Sequence, residues 1–184
     1  MTRALIIIDV INEMLHPNGK LAPKGYVDFL NQHNSIQTLN QAIAQARQNN
    51  DLVIFARIGF SSDYHDCPKG SPLFMNAPKF GALMKDTWAT EVLDGIDIQD
   101  TDIFLHKTRV SAFYQTGLHE ILQEKSVTHL SFVGCATDLA VNSAVREAHD
   151  RDYIVTVLSD CCIAANDNDH ISTLELLKKV ATVV

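Results

Sequence analysis

Six short apolar runs, at residues 4–8, 52–56, 103–105, 130–133, 154–158 and 180–184, recur along a chain of 184 residues. Each is rich in Val, Ile, Leu or Phe and lacks the polar alternation of a half-solvated strand. Such runs suit strands covered on both faces, as in a parallel sheet. Helical spacing lies between several of them. Ile36, Leu39, Ile43 and Ala46 recur with that period after Asn34 or Ser35, either of which suits an N-cap. A second helix is predicted over 138–151, with Leu139, Ala140, Ser143, Ala144 and Ala148 small or apolar on one side. A third is predicted over 169–179, carrying Ile171, Leu174 and Leu177, with Lys178 and Lys179 at its C-terminal end. Strand, helix and strand in succession imply right-handed crossovers. The sum is an α/β fold: a three-layer α/β/α sandwich around a mainly parallel, roughly six-stranded sheet. No repeat, low-complexity tract or Gly/Ser linker divides the chain, so one domain is expected over residues 1–184.

Composition narrows the partners. With 46% hydrophobic and 20% charged residues the chain can close a sizeable core. A formal charge of −7, with scattered lysines and arginines, gives no footprint for nucleic acid. The apolar run 5–8 is cut by Asp9 and is too short for a signal segment or a membrane span, so a cytoplasmic protein without membrane contact is expected. Cys67, Cys135, Cys161 and Cys162 contain no C-x-x-C pair, and adjacent Cys161 and Cys162 cannot bond each other without strain. Free, buried thiols in a reducing compartment are expected.

Residues 59–100 break the alternation of strand and helix. This stretch holds Pro68, Gly70, Pro72, Pro78, Gly81 and Gly95 among Phe60, Tyr64, Phe74, Phe80 and Trp88, which predicts an ordered but irregular segment. Long ordered loops often serve as lids or interfaces.

In an open parallel sheet the ligand lies beyond the carboxyl ends of the strands. That rule selects Asp9 after the first strand, Arg57 at the end of the second, Lys107 at the end of the third, and the turn Gly134-Cys135-Ala136-Thr137 after the fourth. A carboxylate at the rim of an apolar sheet is costly unless paired. An ammonium on a neighbouring strand end would pair with it and tune its proton affinity. The turn passes from strand to helix through small residues, and a helix amino end favours an oxyanion or a carboxylate.

Three segments together, IIIDVINEM with Asp9 and Asn12, FLHKTRVSAFYQTGL with Lys107, and VGCATDLAVNSAVREAHDRDY, resemble the isochorismatase-like or cysteine hydrolases over nearly the whole chain and in the same order. The resemblance implies a catalytic aspartate at Asp9, a lysine at Lys107, a cis peptide at Ala136-Thr137, and a nucleophile position at residue 140. Most relatives carry cysteine there. Here it is Ala140, which cannot be a nucleophile, and Cys135 lies off the matching position. Three explanations are open. Isochorismatases proper resemble this chain and also lack the cysteine, leaving an aspartate and water to do the hydrolysis. Alternatively the chain is a cysteine amidohydrolase that lost its nucleophile by substitution, engineered or natural, or a binding protein that keeps the fold. An alanine leaves room for water, so Asp9 as acid and base with Lys107 as electrostatic partner needs no cofactor.

Metal is not expected, because 56–61 lacks the acidic and histidine ligands that nicotinamidase-like relatives use, and His65, Asp66 and Cys67 have no fourth ligand. For a small, carboxylated substrate, Arg57 and Arg109 are the candidate anchors. Asn12, Phe60, Trp88, Tyr114, Ala136 and Thr137 complete the candidate binding set. The other histidines lack ligand spacing. The resemblance also implies a homodimer or homotetramer.

Overall fold

The computed structural model describes residues 2–184. Strands β1 (Thr2–Ile8), β2 (Leu52–Ile58), β3 (Ile103–Lys107), β4 (Val127–Cys135), β5 (Ile154–Ile163) and β6 (Thr182–Val183) form one sheet in the order β3-β2-β1-β4-β5-β6. Every neighbouring pair is parallel. The helices are α1 (Asn12–Leu15), α2 (Tyr26–Gln32), α3 (Ser35–Gln48), α4 (Ala77–Phe80), α5 (Leu118–Glu124), α6 (Asn142–His149) and α7 (Asp167–Leu177).

Strand periodicity divides the core in two. Leu5, Ile7, Val53, Phe55 and Val133 pack on Phe29 and Leu30 of α2 and on Leu39 and Ile43 of α3. Their strand neighbours Ala4, Ile6, Ile8, Ile54, Ala56 and Phe132 point the other way, onto α5, α6 and α7. The two helical layers follow from direction. The chain steps from β1 to β2 one way through α3, then from β4 to β5 to β6 the other way through α6 and α7. Right-handed crossovers taken in opposite directions place their helices on opposite faces. The expected three-layer sandwich and its parallel sheet are therefore present, and the direction reverses between β1 and β4. That reversal is where such sheets open a crevice.

The elements depart from expectation mostly at their ends. The fourth strand runs Val127–Cys135 and the fifth Ile154–Ile163, longer than their apolar cores at 130–133 and 154–158. The predicted helix 138–151 begins instead as a π-turn, Thr137–Val141, continuing into α6. The third begins at Asp167, where the Asn166 side chain accepts from the Asp169 N–H at 2.9 Å. Asn34 precedes α3 but sits at φ 50° and makes no side-chain cap. Within 59–100 the only regular pieces among the described residues are α4 and a 3₁₀ turn, Trp88–Thr90.

One glycine matters for the site. Gly134 pairs with Ile8 at φ 112°, and a Cβ there would stand 2.1 Å from the Ile8 carbonyl oxygen. Only glycine lets β4 approach the residue that precedes Asp9 so closely.

Candidate active site

The carboxyl end of the apolar strand β1 hands directly to Asp9, which adopts φ 49°. Aspartate tolerates this left-handed conformation better than most residues. The Asp9 N–H donates to the Ala56 carbonyl at 3.0 Å, anchoring it to β2. Its Oδ1 then accepts from the Ile58 N–H at 2.6 Å. Ile58 pairs in turn with Lys107 of β3, so the two charged side chains meet across the end of the intervening strand. Lys107 Nζ lies 2.7 Å from Asp9 Oδ2.

Both groups are almost wholly withdrawn from water, at 4% exposure for Asp9 and 2% for Lys107. An isolated charge could not remain there. The Lys107 ammonium uses its three donors on Asp9 Oδ2 and on the Arg109 and Val110 carbonyls, each carbonyl at 3.2 Å. Asp9 accepts at both oxygens, a geometry that suits its ionised form. Burial nevertheless pushes its carboxyl above the usual carboxylate range, against the opposing pull of Lys107 and the Ile58 N–H. A resting carboxylate with raised proton affinity is a competent base.

The pair forms the floor of a cavity of about 620 Å³. Ala136, Leu139 and Ala140 line it from the turn after β4, and Val110 from the loop after β3. The first N–H groups of a helical segment lack intrahelical acceptors, so this turn can offer donors to developing negative charge. The cis peptide is Cys135-Ala136, one bond earlier than expected. Cys135 itself is fully buried in the core beneath. Burial, then the nearby Asp9 carboxylate, push its thiol well above the ordinary range, so it is no ready nucleophile.

Of the residues picked out by sequence, Asp9, Lys107, Ala136 and Ala140 converge on this cavity, whereas Asn12, Arg57, Phe60, Trp88, Arg109, Tyr114 and Thr137 are not among its lining residues. For Arg57 the reason is strand parity. β2 continues to Ile58, so Ile58 shares a face with Lys107 while Arg57 shares one with His106. Arg57 donates to the Thr90 carbonyl at 3.1 Å and covers the Phe104 ring. Arg109 donates to the Asp66 and Thr108 carbonyls and lies over Tyr114. Phe60 is fully buried against Phe74. Trp88 stands edge-on to His16, and its carbonyl accepts from Asn12 Nδ2 at 3.0 Å. Thr137 Oγ1 is 3.0 Å from His170 Nδ1. His65 is held by Asp63 and Ser61, while the buried Cys67 thiol contacts the Phe74 carbonyl. Among the described residues no group of three or more His, Cys, Asp or Glu side chains is placed to hold a metal ion.

The rest of the cavity comes from residues that sequence reasoning passed over. Met14 of α1, Lys20, Leu21 and Lys24 of the stretch that follows, and Tyr26 at the start of α2 line it from one side. Pro72, Leu73, Phe74, Asn76, Ala77, Phe80, Ala82 and Leu83 line it from the irregular segment. Glu13 ties these two walls together. It is 1% exposed and accepts from the Leu83 N–H at 2.9 Å and the Lys20 N–H at 3.2 Å. An acid two residues beyond Val10-Ile11, directly after Asn12, was the one available signal.

Comparison with known proteins bears on the family and the fold. The isochorismatase domain matches residues 3–184. The chain is 33% identical over 171 residues to the ureidoacrylate amidohydrolase RutB of Caulobacter segnis, covering 86% of this chain and 71% of that protein. The corresponding enzyme of Klebsiella pneumoniae is 31% identical, over 85% and 71% of the two chains. In three dimensions an isochorismatase family protein from Desulfovibrio vulgaris superposes with a TM-score of 0.87 at 23% identity, over 99% of this chain and 93% of the other. N-carbamoylsarcosine amidase from Thermoplasma acidophilum does so at 0.77 and 25% identity, over 100% and 95%. With the whole sheet and the cavity at its switch point included in these matches, this chain belongs to the isochorismatase family of hydrolases.

Proposed function

We propose that the chain hydrolyses an amide or ureide bond of a small, carboxylated metabolite without a cysteine nucleophile. The observation that carries the reading is the buried Asp9–Lys107 pair, 2.7 Å apart, on the floor of a cavity that Ala140 also lines. Asp9 takes a proton from a water molecule seated beside the Ala140 methyl group, and the water oxygen attacks the carbonyl carbon. The turn at 136–140 holds the resulting oxyanion, and Asp9 returns the proton to the departing nitrogen. Lys107 keeps the carboxylate oriented and sets its proton affinity. The amidohydrolase names of the relatives support the bond type. The four free, buried cysteines support work in the reducing cytoplasm. Exposed Leu73, Met75 and Phe80 support assembly into a homo-oligomer.

A second reading has its own support. The alanine stands on the cavity wall where an attacking side chain would reach substrate, so a cysteine amidohydrolase that has lost its nucleophile fits the same frame. One panel separates them: ureidoacrylate, small amides and ureides, and isochorismate, offered to the chain, to Asp9→Asn and to Ala140→Cys, with products followed by mass spectrometry. Turnover by the unaltered chain that falls about 10²–10⁴-fold in Asp9→Asn supports water-driven hydrolysis. Turnover by Ala140→Cys alone replaces it with the second reading.

A further inference from the structure

The charges that line the cavity do not balance. Asp9 and Lys107 compensate each other at the floor, while Lys20 and Lys24 line the same space from exposed positions at its solvent side. Lys20 Nζ donates to the Gly81 carbonyl at 2.5 Å, a neutral partner that positions the ammonium without cancelling its charge. Among the described residues, no carboxylate lies within salt-bridge distance of either lysine. Glu13, which holds the Lys20 main chain, is itself occupied by two backbone N–H groups. Between this positive rim and the floor the wall is mostly apolar, with Met14, Leu73, Phe74, Phe80 and Leu139, and Tyr26 and Asn76 are its polar members. Over most of this wall a compact polar acid would lose hydration without replacement, whereas an apolar body would gain by leaving water.

We propose that Lys20 and Lys24 form an anion subsite at the mouth, and that the substrate is a carboxylic acid with an aryl or alkyl body that fills the space between rim and floor. The position of the reacting bond rests on the reading of Asp9 given above; the subsite does not. The class differs from the small polar acid that the name ureidoacrylate describes, and it follows from the wall of this chain.

Titration calorimetry with phenylbutyrate, phenylbutanol and butyrate tests it on the intact chain. Phenylbutyrate binds, and the alcohol and the shorter acid each bind about tenfold or more weakly. Raising ionic strength weakens the acid and spares the alcohol. Lys24→Met and the double variant Lys20→Met/Lys24→Met lower affinity for the acid about tenfold or more and bring it to the level of the alcohol, whereas Lys24→Arg retains the preference. Absence of phenylbutyrate binding, equal binding of acid and alcohol, or unchanged acid binding in the lysine variants overturns the subsite. Butyrate binding as tightly as phenylbutyrate overturns the apolar body. Should the double variant fail to fold, Lys24→Met decides alone, since its side chain is exposed and makes no hydrogen bond within the described residues. Phenylbutyrate has no bond to hydrolyse, so lysine-dependent binding alongside a silent hydrolysis panel removes the reaction and leaves the subsite.

Discussion

The floor and the wall of the cavity are built by different means. The floor hangs on strand ends: Asp9 and Lys107 are placed by backbone ladders that also carry the core, and each is locked by hydrogen bonds to neighbouring main chain. The wall is assembled from the loop before α2 and the irregular segment after β2, joined through the Glu13 carboxylate and the Lys20–Gly81 hydrogen bond. A floor fixed by the sheet and a wall made of loops can vary independently of each other, which is how one fold comes to serve different sites.

The sharpest way to break this contrast is Lys107→Met. It leaves the Asp9 carboxylate buried beside an apolar chain, so stability should fall by ~3–5 kcal/mol in denaturant melts. Activity should fall with it, and retention of more than a tenth would show that the floor is not the chemical centre.

Next in size is the pH dependence of kcat/KM. A base must be ionised to act, so activity should rise with pH through the Asp9 pKa and level off above it. Burial places that limb above the ordinary carboxylate value of 3.8. The stability linkage has the opposite sense. Because the folded pKa exceeds the unfolded one, the contribution of Asp9 is greatest below the ordinary value and declines as pH rises through the folded pKa. A kinetic limb at or below the ordinary value would mean that Lys107 outweighs burial.

On the wall, Glu13→Gln keeps one acceptor oxygen for two N–H donors. A loss of roughly 1–3 kcal/mol in stability is expected, with KM raised and kcat little changed. An equal fall in kcat would place Glu13 in the chemistry instead. Phe80→Ser, on an exposed side chain, should raise KM a few-fold for apolar acids at constant kcat and leave the melting temperature within error. The smallest effect belongs to Arg57→Gln, expected within about twofold of the parent in kcat/KM, since strand parity turns Arg57 away from the cavity.

The same division explains what could be read from sequence. Apolar runs mark strands buried on both faces, and the rule that ligands gather at their carboxyl ends selected Asp9, Arg57, Lys107 and the turn at 134–137, while position 140 came from the family resemblance alone. Arg57 falls outside the cavity because the second strand runs through Ile58, and a shift of one residue in a strand end reverses the side to which a side chain points. Phe60 and Trp88 fall outside it for another reason. Residues 59–100 have no periodicity, so nothing in their order tells which aromatic is core and which lines a cavity. Lys20 and Lys24 are ordinary surface lysines in sequence, and only the folding of 72–83 over them gives them a role.

The Asp9–Lys107 contact bridges two strands that do not touch each other, since β2 lies between them. It can close only when β1 on β2 and β2 on β3 are both in their native alignment. A slip of one residue in either pairing would aim one of the two charges into an apolar layer. The buried pair thus acts as a proofreading device for assembly of this half of the sheet: misaligned chains are penalised by an uncompensated charge, so molecules in which the pair is closed have both alignments correct.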